Sequence, residues 1–141
     1  MKKIVSLFLL VAAFASCGEE VKFNNPAFQA NKNGNIWKAN DMYAFADAGG
    51  LTIIGAVGTD MVELHTTSAN NGTYVLTGTS ASYAIYDSVD GAGASYESVS
   101  GEIKITSGVD GTVTGKFHFV AEDGAGNEVI FTEGTFYKVP R

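Results

Sequence analysis

The stretch Glu102–Ala121, EIKITSGVDGTVTGKFHFVA, alternates apolar and polar residues on both sides of a single Asp110-Gly111 pair. Before the pair, Ile103 and Ile105 interleave with Glu102, Lys104 and Thr106. After it, Val113, Gly115, Phe117, Phe119 and Ala121 interleave with Thr112, Thr114, Lys116 and His118. A period of two sends one set to a buried face and the other to water, as in a β-strand. Asp-Gly accepts the positive φ angles of a tight hairpin turn. The segment therefore predicts an antiparallel hairpin with Ile103, Ile105, Val113, Phe117, Phe119 and Ala121 facing a core.

Working outward, the same spelling recurs. The chain has 17 glycines in 141 residues, and Asx-Gly pairs also stand at Asn33-Gly34, Asn71-Gly72, Asp90-Gly91 and Asp123-Gly124. Candidate strands fall at about 35–39, 42–47, 51–57, 60–67, 73–77, 81–87, 94–98, 101–107, 112–121 and 127–138. Tyr83 and Ile85, like Tyr74 and Leu76, take core-like alternation positions. No sustained 3.6-residue period appears after the first twenty residues, so helices longer than a turn or two are not expected. Strands this close together leave no room for parallel crossovers, so pairing is antiparallel. Eight to ten short strands should curl into a single all-β domain, a β-sandwich or flattened β-barrel.

The amino terminus, MKKIVSLFLLVAAFASCGEE, has a different character. Lys2 and Lys3 precede an apolar run of 11 residues, Ile4 to Phe14, followed by small residues. That run is too short to span a hydrocarbon core, which needs about 20 residues, and reads as a secretory leader. Phe14-Ala-Ser-Cys17 resembles the lipobox of bacterial lipoproteins, in which the cysteine is acylated before cleavage. The competing reading is an ordinary secretory signal with a stray cysteine. The expected organisation is a leader at 1–16, a lipidated Cys17 and tether at 17–33, and an antiparallel β-domain at 34–141. Phe23, Pro26 and Phe28 could dock the tether on the domain's end. Cys17 is the only cysteine, so once acylated it leaves no thiol for disulfide, metal or nucleophile.

With the leader removed, seven basic residues face 15 acidic ones, a net charge of −8. No basic cluster remains, so nucleic acid is not an expected partner. Attachment to an anionic membrane would have to come from acyl chains on Cys17 rather than from charge.

Three further stretches carry a likeness: FNNPAFQA at 23–30, GNIWKAND at 34–41 and GTVTGKFHFVAEDGAGNEVIFTEGTF at 111–136. Together they resemble a family of uncharacterised lipoproteins from flavobacteria and related Bacteroidetes. The resemblance implies a small all-β envelope domain behind a lipid anchor, on the periplasmic or cell-surface side of the outer membrane, and implies no activity. Gly18-Glu19-Glu20 resembles a short form of a surface-export signal in such organisms. Asp87-Ser88-Val89 resembles their acceptor motif for O-glycosylation, with Ser88 the modified residue.

Residues able to do chemistry are few. The two histidines, His65 and His118, sit at polar alternation positions with no ligand spacing between them. Asp87–Asp90 and Asp123–Glu128 offer oxygen ligands but lack the spacing of a calcium loop. No GxSxG or SxxK occurs. Glu63, Glu97, Glu102 and Glu133 could supply a glycosidase pair, yet each also fits an exposed strand position. No catalysis, metal or cofactor is expected. Trp37 and the tyrosines could stack on sugar, or fill a core. Tyr86 and Tyr96 are the best exposed candidates, because they flank the Gly/Ala/Ser loop 88–95. The function expected is a non-catalytic envelope module for a glycan, a small apolar ligand or a partner protein. The alternative is a structural or accessory lipoprotein; less favoured is a hydrolase using carboxylates or histidine.

Overall fold

The computed structural model describes residues 26–88 and 94–141. Cys17, Phe23 and the turn Asp90-Gly91 therefore lie outside the described residues. Among the described residues ten strands form one antiparallel sheet: β1 (Ala27–Lys32), β2 (Asn35–Lys38), β3 (Asp41–Asp47), β4 (Gly50–Val57), β5 (Asp60–Thr66), β6 (Gly72–Thr77), β7 (Tyr83–Ser88), β8 (Ala94–Ser107), β9 (Thr112–Glu122) and β10 (Glu128–Pro140). Their order is β2-β1-β10-β9-β8-β7-β5-β4-β3, with β6 branching off to pair with β8. The all-β antiparallel expectation holds. Among the described residues no helix is long and apolar enough to cross a membrane.

The Asp110-Gly111 hairpin forms as its spelling requires. Both residues take positive φ, 58° and 68°, and the Thr112 amide donates to the Val109 carbonyl. Ile103, Ile105, Val113, Phe117, Phe119 and Ala121 are all buried on the concave face. Asn33-Gly34 makes a second positive-φ turn, joining β1 to β2.

Bulges bend the long strands into a curl. The β10 ladder shifts register between Phe131 and Gly134 and between Phe136 and Val139, where Glu133 and Lys138 take positive φ. In β8 the register slips between Ser98 and Ser100, beside Gly101 at φ 126°. Extra residues of this kind kink one strand against its partner. The β8 kink also explains why 94–98 and 101–107, expected as two strands, are one: its first half pairs with β7 and its second with β6.

The expected tether ends too late. Residues 27–32 form β1, which pairs with β10 on one side and β2 on the other. Phe28 is 1% exposed and lies against Gly55 of β4, where any Cβ would meet its ring at 2.6 Å. The chain then stitches the two ends of the sheet together. Ala39 donates its amide to Phe28 of β1, and Asn40 donates to Ala56 of β4. The enclosed core is solid with aromatic rings: Phe119 and Phe131 stack at 4.8 Å, and Phe28 meets Phe117 at 5.2 Å.

Candidate functional site

One end of the curl gathers polar side chains on the concave face. The reason is phase. Lys32 follows Phe28 and Ala30 at two-residue steps along β1, and Asp60 precedes Val62 and Leu64 in the same way along β5. Ser88 continues the inward line of Ala84 and Tyr86 on β7. Each polar residue closes an apolar row at the strand's end, where the core gives way to solvent.

Asp60 is the hub. One carboxylate oxygen accepts hydrogen bonds from Lys32 Nζ at 3.2 Å and from Trp37 Nε1 at 3.3 Å. The other accepts from Ser88 Oγ at 3.2 Å. Lys32 also donates to the Tyr86 hydroxyl at 2.9 Å and stands 5.0 Å from the centroid of that ring. Tyr96 packs beside Tyr86 with centroids 5.7 Å apart. Among the described residues no buried side-chain polar atom lacks a partner.

The electrostatics follow. Burial raises the Asp60 pKa, but hydrogen bonds from Lys32, Tyr86 and Trp37 outweigh it and hold the carboxyl below its ordinary value. For Lys32, burial favours the neutral amine, while its bonds to Tyr86 and Asp60 outweigh that and raise the pKa. Both groups stay charged at neutral pH.

Beside the hub lies an open recess of about 240 Å³, walled by Lys32, Asn33, Tyr86, Ser88, Tyr96 and Glu128. Trp37, Tyr86, Ser88 and Tyr96 are thus brought together at one end. Two of them sit differently from expectation. Trp37 is 5% exposed, its ring edge-on to Phe28 and Phe131. It plugs the core and offers no stacking surface. Tyr86, expected as an exposed loop flank, is also only 5% exposed because its position faces inward; it forms the wall of the recess. Tyr96 is half-buried and reachable. The Ser88 hydroxyl is engaged with Asp60, and Val89 to Gly93 lie outside the described residues.

Lys32 and Asp60 escaped the sequence reading. Their signal was available in the inward phase of Phe28-Ala30-Lys32 and Asp60-Val62-Leu64, once 27–32 is taken as a strand.

Of the remaining candidates, Glu102, His118 and Glu133 line a second open recess of about 310 Å³ together with Lys104 and Lys116, and the others stand apart. His65 stands on β5 against Thr52 and Tyr83, with its Nδ1 3.1 Å from Thr52 Oγ1. His118 lies on β9 opposite Glu102, with β7 and β8 between the two histidines. Among the described residues no three His, Cys, Asp or Glu side chains are grouped to hold a metal. The Asp123 carboxylate closes its own turn, accepting from the Ala125 and Asn127 amides and from Asn127 Nδ2. Glu63 and Glu97 occupy the convex surface and flank Ile85 there.

The sequence model of one family, described as a domain of unknown function (DUF6252), matches residues 24–140. That span begins just before β1, in line with a domain that starts earlier than Gly34. Comparison with curated proteins and with solved structures returns no match.

Proposed function

The chain belongs to the DUF6252 family, a domain of unknown function, and from that footing we propose that it is a lipid-anchored envelope protein whose domain binds the end of a glycan without catalysis. The anchor in this reading is Cys17, acylated in an outer membrane of the flavobacterial kind, with the domain on the periplasmic or outer face. The leader spelling supports it: two lysines, a short apolar run and Ala15-Ser16-Cys17.

One observation carries the binding reading. Lys32 and Tyr86, with Lys32 held by Asp60, wall a recess that is also lined by a tyrosine ring, an amide and a carboxylate: Tyr96, Asn33 and Glu128. Sugars present apolar C–H faces to rings and hydroxyls to such polar groups. The recess is smaller than the roughly 300–1,000 Å³ of sites for drug-sized ligands, and suits one terminal residue. Between Phe28, Phe117, Phe119 and Phe131 the core is filled with packed rings.

The test is a titration of the purified protein with glucose, galactose, mannose and N-acetylglucosamine, followed by NMR shifts. At least one sugar should move the Tyr96 and Glu128 signals, and Tyr96→Ala should abolish the effect. Silence toward the whole panel would leave the hub as a structural clasp and overturn the reading.

A further inference from the structure

The convex face carries a second feature, separate from the recess. Register places Phe45, Thr52, His65 and Tyr83 in one row across β3, β4, β5 and β7. The next row runs Tyr43, Ile54, Glu63, Ile85 and on to Glu97 of β8. Tyr43 and Phe45 remain 48% and 41% exposed, with ring planes 22° apart and centroids at 6.2 Å. Tyr83 stacks on His65 at 4.8 Å. Beneath these side chains Thr52 and Ile54 are buried, so β4 is covered on both faces.

Beside His65, the charges that reach the Tyr83 phenol are those of acids. Burial pushes its pKa up, and the negative charges of Glu63, Asp47 and Glu97 push it the same way. The acid row continues from Glu97 to Glu122, its direct neighbour on β9. Like charges directly opposite one another weaken a sheet, and a cation seated over them would relieve that repulsion. Aromatic faces attract cations as well, by about 0.5–1 kcal/mol each when exposed. A phosphate, an acidic glycan or an anionic lipid headgroup would be repelled.

We propose that the convex face around Tyr43, Phe45 and Tyr83 docks a basic segment of another protein, whose Lys or Arg side chains lie over the rings and reach Glu63 and Glu97. This surface is independent of the glycan recess. Charge complementarity selects the occupant: ring faces bordered by Asp47, Glu63 and Glu97 match an Arg-rich strand or loop.

The experiment titrates the purified protein with a short oligo-arginine peptide, comparing the wild type with Tyr43→Ala/Phe45→Ala. That variant changes no charge, so general attraction to an acidic protein is held constant. Binding should weaken by about tenfold, the equivalent of two exposed cation–π contacts. If removing the rings unsettles the sheet, Tyr43→Leu/Phe45→Leu keeps apolar cover over Thr52 and Ile54 and should show the same loss at unchanged melting temperature. Equal affinity in wild type and variants would overturn the proposal. So would ring-dependent binding of a neutral cello-oligosaccharide, which would assign the face to sugar. Ring-dependent self-association without peptide would overturn it too, in favour of a second copy.

Discussion

Phe117 and Gly134 are direct partners across the β9–β10 ladder, and the ring of the first lies over the bare Cα of the second. A Cβ at residue 134 would fall 2.6 Å from Phe117 Cδ2 and 2.5 Å from the Phe117 carbonyl oxygen. A backbone oxygen cannot step aside as a flexible side chain could. Gly134→Ala should therefore cost about 3 kcal/mol, the upper end of ordinary over-packing. Phe117→Ala removes a ring that is 3% exposed and should cost about 3–5 kcal/mol. The double variant should cost less than the sum, because deleting the ring removes half of the clash. Urea melts of the three variants check this; simple additivity would mean that the ring and the glycine do not share one space.

Gly111 makes the opposite case. Its φ is +68° and a Cβ there meets nothing within 4 Å. Gly111→Ala should cost only about 1 kcal/mol, the backbone penalty of a left-handed residue. A loss as large as that of Gly134→Ala, in the same urea series, would show that this turn packs against something.

Legibility followed contrast between faces. The 102–121 hairpin was readable because its two faces differ in kind, isoleucine and phenylalanine against lysine, threonine and glutamate. β7 was not: Tyr83, Ala84, Ile85 and Tyr86 are apolar on both faces, so the expectation that Tyr83 and Ile85 face the core had no contrast to rest on and is overturned. The structure points Ala84 and Tyr86 inward and leaves Tyr83 and Ile85 half-buried outside. β1 hid for another reason. Its ladder to β10 joins residues about a hundred apart, and local spelling carries no sign of a partner that distant. Without β1 the inward phase of Lys32 had no meaning, and the Lys32–Asp60 pair stayed invisible. Trp37, Tyr86, Ser88 and Tyr96 were singled out as residues, but what unites them is the carboxylate and ammonium between them.

The anchor is open to direct test. Hydrocarbon burial contributes about 0.8 kcal/mol per methylene, so a membrane hold through two or three acyl chains should vanish with the atom that carries them. Cys17→Ser should move the protein from the membrane to the soluble fraction on cell fractionation. Mass spectrometry of the wild type should find an acylated Cys17 at the new amino terminus. A bare thiol or an uncut leader would remove the lipid from the account.

The Asp60 hub should set how the fold responds to acid and base. The folded Asp60 pKa lies below the ordinary 3.8, so its contribution is complete above that value and is lost as pH falls through the folded pKa. Lys32 behaves in mirror image. Its folded pKa lies above 10.5, so the stabilisation holds below that value and fades as pH rises through the folded pKa. Asp60→Asn preserves shape but removes the charge, leaving Lys32 with Tyr86 alone. The side chains of Lys32 and Asp60 keep 29% and 20% exposure, so the loss should be about 1–2 kcal/mol at neutral pH, below the ~3–5 of a fully buried broken pair. The variant should also lose stability less steeply than the wild type below pH 3.8, because one titrating group is gone. Thermal melts of both proteins across an acid series measure the difference in slope. Parallel curves would mean that Asp60 titrates alike in the folded and unfolded chains, and that the hub is held by geometry rather than by charge.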